Sequence, residues 1–274
     1  LKEAELYTRK AIELNPNCAD THSNLGVILN DLENLQEAEE SQRKAIELNP
    51  NFADAHSNLG VILLQKGEYD LSLKYFAESA KLLRGERNKE LYQLRSEKIS
   101  KAKIDHDIEQ FEYLISQGCE TQKFTDLALL YKRIASEVNW PSETQLITLS
   151  DKYINLLKSN YNCLLHNIGG NKLEKGVVNN FLDVEKITTQ YFNHKFGLTY
   201  IDSFLSPKAL ESLRKFLLES TIWFDIKPNG YIGAFLKEGL ANPLIFQIAD
   251  ELKKKFPQIF KDYPITQIWA FKYD

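Results

Sequence analysis

Residues 9–29 read RKAIELNPNCADTHSNLGVIL and residues 43–63 read RKAIELNPNFADAHSNLGVIL, so the chain matches itself at 19 of 21 positions at an offset of 34 residues. Self-similarity at that period marks stacked supersecondary units, because one such unit cannot bury its apolar face alone. Each copy reads as helix, turn, helix. Leu25, Gly26 and Leu29 share one face of a first helix, while Ala38, Ala45 and Leu48 line a second. Small residues let two helices approach and larger ones fill the gaps between them. Pro50 ends the pair, because proline lacks the backbone N–H that a continuing helix needs. In the next copy the same roles fall to Leu59, Gly60, Leu63, Ser72, Phe76 and Ser79.

This pattern resembles the tetratricopeptide repeat over residues 1–84. Ala4, Ala11 and Pro16 occupy the positions of Ala38, Ala45 and Pro50, which puts Leu1 inside the second helix of a partial repeat. With no Met in the chain, the sequence reads as a fragment of a longer protein with further repeats upstream. The resemblance implies a binding role, with a protein or an extended peptide in the repeat groove. In the similar repeats of O-linked N-acetylglucosamine transferase, a ladder of Asn amides holds a peptide backbone, and Asn24 and Asn58 fall at that position; the alternative is an Asn that satisfies its own or the neighbouring helix. No Lys or Arg accompanies either Asn on its first helix, so a C-terminal carboxylate is a poor ligand. His22 and His56 also share one repeat position and are read as packing or groove residues rather than catalysts.

Composition narrows the function classes. At 43% hydrophobic and 26% charged residues the chain is ordinary globular material. A net charge of −4 gives no broad positive field for nucleic acid. No apolar run approaches the ~18 residues a membrane span needs. Cys18, Cys119 and Cys163 are odd in number and widely spaced, which fits a cytoplasmic setting and argues against a disulfide framework or a zinc site. The Lys253-Lys254-Lys255 run suits the negative end of a helix dipole.

Residues 85–170 are expected to form a helical spacer. Leu91, Leu94, Ile99, Ile104, Ile108, Phe111, Leu114 and Ile115 recur at helical spacing and predict one long helix over 86–117, ended by Gly118. A second helix is expected over 124–138. A third is expected from Pro141 and Ser142, where Ser142 and Gln145 make a capping box, to Gly169-Gly170. The Asp105-His106-Asp107 triplet reads as a solvated helix face, because adjacent helical side chains point ~100° apart and do not converge on one ion. Residues 171–195 are expected to be a linker.

The last segment, residues 196–274, changes character. Strands are predicted over Leu198–Leu205, Tyr231–Leu236 and Thr266–Tyr273, the last as an interior strand because both its faces are mainly apolar. Ser206-Pro207 and Asn242-Pro243 each read as an N-cap followed by proline at the first helical position. The helices they start are expected over 207–220 and up to Phe256. The order YIDSFLSPKALESLRKFL, WFDIKPNGYIGAFL, PLIFQIADELKKKF and QIWAFKYD resembles the N-terminal half of a prolyl-hydroxylase-like dioxygenase dependent on 2-oxoglutarate and Fe(II). The fold class is therefore expected to be mainly α: a helical solenoid, a helical spacer, and an incomplete α+β domain like the start of a double-stranded β-helix.

In that family a His-x-Asp pair and a distant His bind the iron, which leaves positions for the cosubstrate and oxygen. None of His22, His56, His106, His166 and His194 is followed two places on by an acid. The resemblance implies no cofactor in this stretch and Fe(II) with 2-oxoglutarate in the intact parent. By its place in the pattern Tyr273 matches an aromatic that approaches 2-oxoglutarate in related enzymes, with a plain core or rim tyrosine as the alternative. A non-enzymatic repeat scaffold with a degenerate C-terminal domain is the alternative reading.

Overall fold

The computed structural model describes residues 1–85, 98–157, 159–227 and 230–273. These fall into two compact units, neither of them continuous in sequence. The first draws on Leu1–Ser79, Gly169–Lys215 and Ala241–Ile268, and the second on Ala80–Ile168, Phe216–Leu240 and the segment from Trp269.

In the first unit the repeats form as helices α1 (Lys2–Leu14), α2 (Ala19–Asp31), α3 (Leu35–Leu48), α4 (Ala53–Gln65) and α5 (Tyr69–Arg84). Close approach is built on the two repeat glycines. A Cβ on Gly60 would lie 3.1 Å from the Phe76 ring, and one on Gly26 would lie 2.5 Å from Gln42 Nε2. Gln42 stands where the next repeat has Phe76. Although fully buried, it is satisfied by Ser23: its Oε1 accepts from Ser23 Oγ at 2.9 Å and its Nε2 donates to Ser23 O at 2.8 Å. Ser72 Oγ donates to Gly60 O at 2.7 Å, so the serine that replaces alanine there is also satisfied. His22 and His56 tie each first helix to the preceding turn, with Nε2 at 2.8 Å and 2.9 Å from the carbonyls of Pro16 and Pro50.

The rest of this unit comes from far along the chain. Helix α9 (Val184–Asn193) is capped by Asp183, whose side chain accepts from Lys186 N; α10 is Pro207–Glu219, α11 is Pro243–Lys255 and α12 is Pro257–Phe260. Asn242 caps α11 by accepting from Ile245 N, as its sequence implies, and Lys253, Lys254 and Lys255 lie in the last turn. The expected linker at 171–195 is structured: Val177 and Val178 are buried with Ala209 and Leu244. The strand expected over Leu198–Leu205 does not form. Only Leu205 pairs, in an isolated bridge with Val178, and Leu198 and Tyr200 are exposed. Alternating apolar residues give a strand only where a neighbouring strand accepts their backbone groups.

The second unit is built on α6 (Lys101–Ser116) packed against α7 (Thr121–Glu137), with the short α8 (Asp151–Leu157). Within the described part of the long helix expected over 86–117, α6 starts at Lys101. Ile99 is held in a bridge with Ile147, and the Ser100 side chain caps α6 by accepting from Lys103 N; Leu91 and Leu94 lie outside the described residues. The helix expected from Ser142 to Gly170 is also absent. Ser142 Oγ does accept from Gln145 N at 3.2 Å, but the chain then pairs through Ile147 with Ile99 and turns helical only at Asp151. A capping turn alone does not propagate a helix, because nucleation is unfavourable without an apolar face to bury.

Among the described residues the sheet of this unit has three antiparallel strands, β1 (Asp225–Ile226), β2 (Ile232–Phe235) and β3 (Trp269–Lys272), in the order β1-β2-β3. β3 pairs with β2 in the register Phe235↔Trp269 to Ile232↔Lys272. Among the described residues it lies at an edge of the sheet, where an interior strand was expected, with Trp269 51% and Tyr273 72% exposed. Apolar residues on both faces were the reason to expect burial, and burial here is limited by the number of strands in the sheet.

Candidate functional site

Helix geometry turns the repeated sequence into a surface. Residues four, seven and eleven places apart lie within about 60° of arc on a 3.6-residue helix. On α2 that stripe is Asp20, Asn24, Val27 and Asp31, all exposed, and it lies opposite the buried Leu25, Gly26 and Leu29. On α4 the matching stripe is Asp54, Asn58, Val61 and Gln65. The two helices run side by side in register. Asn58 Nδ2 reaches Ser23 Oγ at 3.4 Å and Gln65 Nε2 donates to Asn30 Oδ1 at 3.1 Å, both across a separation of 35 residues. The two stripes carry the same residue types at equal repeat positions: Asp20 and Asp54, Asn24 and Asn58, Val27 and Val61.

Of the two predicted residues, Asn24 lies on α2 and Asn58 on α4, where Asn58 reaches Ser23 of the neighbouring helix. Asn24 is exposed, while Asn58 makes only a long contact with the neighbouring helix, so both amides present hydrogen-bonding capacity to the surface. The sequence reading missed the acidic and valine rows. The signal was present, since the same i, i+4, i+7, i+11 spacing recurs in both copies. No Lys or Arg occurs on α2 or α4. Lys66, which follows α4, is held by Glu39 at 2.5 Å and Glu68 at 2.9 Å.

Tyr273, the third predicted site residue, belongs to the second unit and packs against Tyr231 with ring centroids 5.2 Å apart and the rings tilted by 35°. It sits beside the exposed edge strand. In the Asp105-His106-Asp107 triplet Asp105 keeps a solvated side chain, but His106 and Asp107 do not form the solvated face expected. Asp107 is buried and His106 is only 2% exposed. Asp107 pairs with the buried Lys103 one turn before it, and His106 Nδ1 donates to Asp107 Oδ1 at 3.2 Å. Burial lowers the His106 pKa despite the Asp107 carboxylate, and burial likewise lowers that of Lys103. The cavity they line, with Gln110 and Thr221, is about 20 Å³, a volume that suits a water molecule and no substrate. Among the described residues no three His, Cys, Asp or Glu side chains gather as a metal site. Nor is any helix among them long and apolar enough to cross a membrane.

Comparison with known proteins agrees with the repeat geometry. Residues 28–67 match the family model described as TPR repeat, and residues 53–82 match the tetratricopeptide repeat model. This stretch consists of tetratricopeptide repeats, and such repeats mediate protein–protein interaction. Among solved structures, MamA is 19% identical, with 50% of this chain and 71% of MamA covered and a TM-score of 0.30. The TPR2B domain of yeast Sti1 in complex with an Hsp70 peptide is 18% identical, with 48% and 82% covered and a TM-score of 0.29. YrrB, a TPR protein with an unusual peptide-binding site, is 23% identical, with 48% and 57% covered and a TM-score of 0.27. No curated protein matches the chain.

Proposed function

We propose that this protein binds an extended peptide segment of a partner protein along the first helices of its repeats, with Asn24 and Asn58 bonding the peptide backbone. The reading is supported by the packing of α2 beside α4, where Asn58 Nδ2 lies 3.4 Å from Ser23 Oγ and Gln65 Nε2 donates to Asn30 Oδ1, and by the exposure of Asn24. An Asn side chain has both a donor and an acceptor, so it matches the N–H and C=O of an extended chain whatever its sequence. The three free thiols support a cytoplasmic setting for this interaction. The test is to select binders from a random-peptide display library on the wild-type protein and measure them by calorimetry. Asn24→Ala with Asn58→Ala should weaken binding by about tenfold or more, given a net ~1 kcal/mol for each hydrogen bond removed. Unchanged affinity would sink the amide ladder.

A second reading concerns residues 196–274, as the opening part of a 2-oxoglutarate and Fe(II) dioxygenase. It is supported by the order of α10, β2, α11 and β3 and by the antiparallel pairing of β2 with β3. The residues described do not fit iron, since no ligand set gathers among them. The reading therefore concerns the intact parent alone. An H-x-D motif within about 20 residues after Asp274 in the parent reading frame is its test, since that pair supplies two of the three ligands. Without the motif the scaffold reading stands.

A further inference from the structure

Outside the repeat helices, we propose that the first unit holds a binding pocket for a free long-chain carboxylate. Helices α9, α10, α11 and α12 and the segment 263–268 border a pocket of about 640 Å³, a size typical of small-molecule sites. Its walls come from two apolar clusters, Leu213 and Ile248 from one and Leu252 and Ile259 from the other, with Ile245 and Ile268 beside them. Native interiors rarely leave a gap of this size, and water over such walls is unfavourable. An alkyl chain suits them. A sugar or a nucleotide does not, because its polar groups would be buried with few partners.

The charge in the pocket selects the head group. Among the described residues that line it, Lys253 carries the one ionised side chain, and none is a carboxylate. The acids just before it on α11 are engaged elsewhere. Asp250 pairs with Lys254 at 2.6 Å and accepts from Tyr69 at 3.1 Å, while Glu251 accepts from Val177 N at 2.8 Å and Val178 N at 3.1 Å. The helix dipole favours lysine anywhere in this last turn, yet of Lys253, Lys254 and Lys255 only Lys253 lines the pocket. Its stem can lie along the apolar wall while its ammonium meets a carboxylate. An apolar pocket with a lone cation is complementary to an anion that carries an alkyl chain.

The experiment titrates the full chain by calorimetry with dodecanoate, octanoate, dodecanol and dodecyltrimethylammonium, each below its micelle concentration, and tests vesicles of anionic phospholipid in a separate arm. Dodecanoate should bind one to one and at least about tenfold tighter than dodecanol, which lacks the charge. Octanoate should bind at least about tenfold more weakly than dodecanoate, since it buries fewer methylenes, and dodecyltrimethylammonium weakest of all. Lys253→Gln should bring dodecanoate down to the level of dodecanol. Ala249→Phe, which fills the pocket, should remove both, with thermal unfolding to confirm a folded protein; if that variant does not fold, Lys253→Gln decides alone. Dodecanoate binding no tighter than dodecanol, at many sites, or unchanged in Lys253→Gln overturns the inference. So does vesicle binding that Ala249→Phe weakens, which assigns the surface to a bilayer, or a dimer that it breaks, which assigns it to a second copy.

Discussion

The ring of Phe246 on α11 packs edge-on against that of Phe76 on α5, with centroids 6.3 Å apart, and Tyr69 flanks the same ring at 6.0 Å. Residues 170 places apart in sequence thus close the apolar face of the last repeat, as a terminal unit of a stacked array requires. Tyr69 adds a hydrogen bond to Asp250 at 3.1 Å, and burial, with that carboxylate, pushes its pKa up to about 12.

Removing this cap should destabilise the repeats themselves. Phe246→Ala is expected to cost about 3–5 kcal/mol, read as a lower urea midpoint of the helical signal. Tyr69→Phe should cost about 1 kcal/mol. An unchanged midpoint in Phe246→Ala would show that α11 does not support the array.

Gly60→Ala sets helix propensity against packing. Alanine gains about 1 kcal/mol in a helix interior, but its Cβ would meet three atoms of the buried Phe76 ring at 3.1 Å. Overpacking of that kind costs about 1–3 kcal/mol. Net destabilisation is expected in thermal unfolding, and Gly60→Ala with Phe76→Leu should recover part of it.

The buried trio in the second unit gives a pH dependence with a definite sign. His106 has a lowered pKa in the folded state, so the unfolded chain takes up its proton first and stability falls as pH drops through the ordinary value of 6.5. Asp107 is also lowered, held by Lys103, so its contribution is lost only at more acid pH, below the ordinary 3.8. Chemical denaturation of wild type and His106→Gln between pH 8 and pH 5 separates the two. The slope in this range should be absent in the variant.

Lys103→Met should be strongly destabilising, by about 3–5 kcal/mol, because it leaves Asp107 buried without its cation. Lys103→Met with Asp107→Leu should recover most of that loss. A single variant as stable as wild type would mean that water reaches Asp107 freely.

Hydrogen exchange should separate the strand edge from the repeat core. Amides of α4, where Leu59, Leu63 and Leu64 are buried, are expected to exchange far more slowly than those of β3. Strong protection of residues 269–272 in a monomer would show that the edge is covered, and would count against the reading of an incomplete β-helix.

The repeats were legible because their information is local and doubled. A 34-residue period, glycines at the helix contact and prolines after it specify helix pairs without reference to anything distant. The same holds for Asn242-Pro243, whose cap is satisfied three residues on. Sequence also placed Asn24 and Asn58 on one repeat position. What lies next to what over long separations was decided only in three dimensions. Leu198–Leu205 alternates like a strand yet finds no strand to pair with, and Ser142 makes its capping contact yet nucleates no helix, since Ile147 pairs with Ile99 instead. His106 and Asp107 look like a solvated face but are buried, because Lys103 neutralises the carboxylate from one turn away and the space around them is about 20 Å³, room for a single water. Periodicity fixes which residues share a face. Tertiary packing fixes whether that face meets water, a strand or Phe246, because burial and backbone pairing depend on partners that local sequence does not contain.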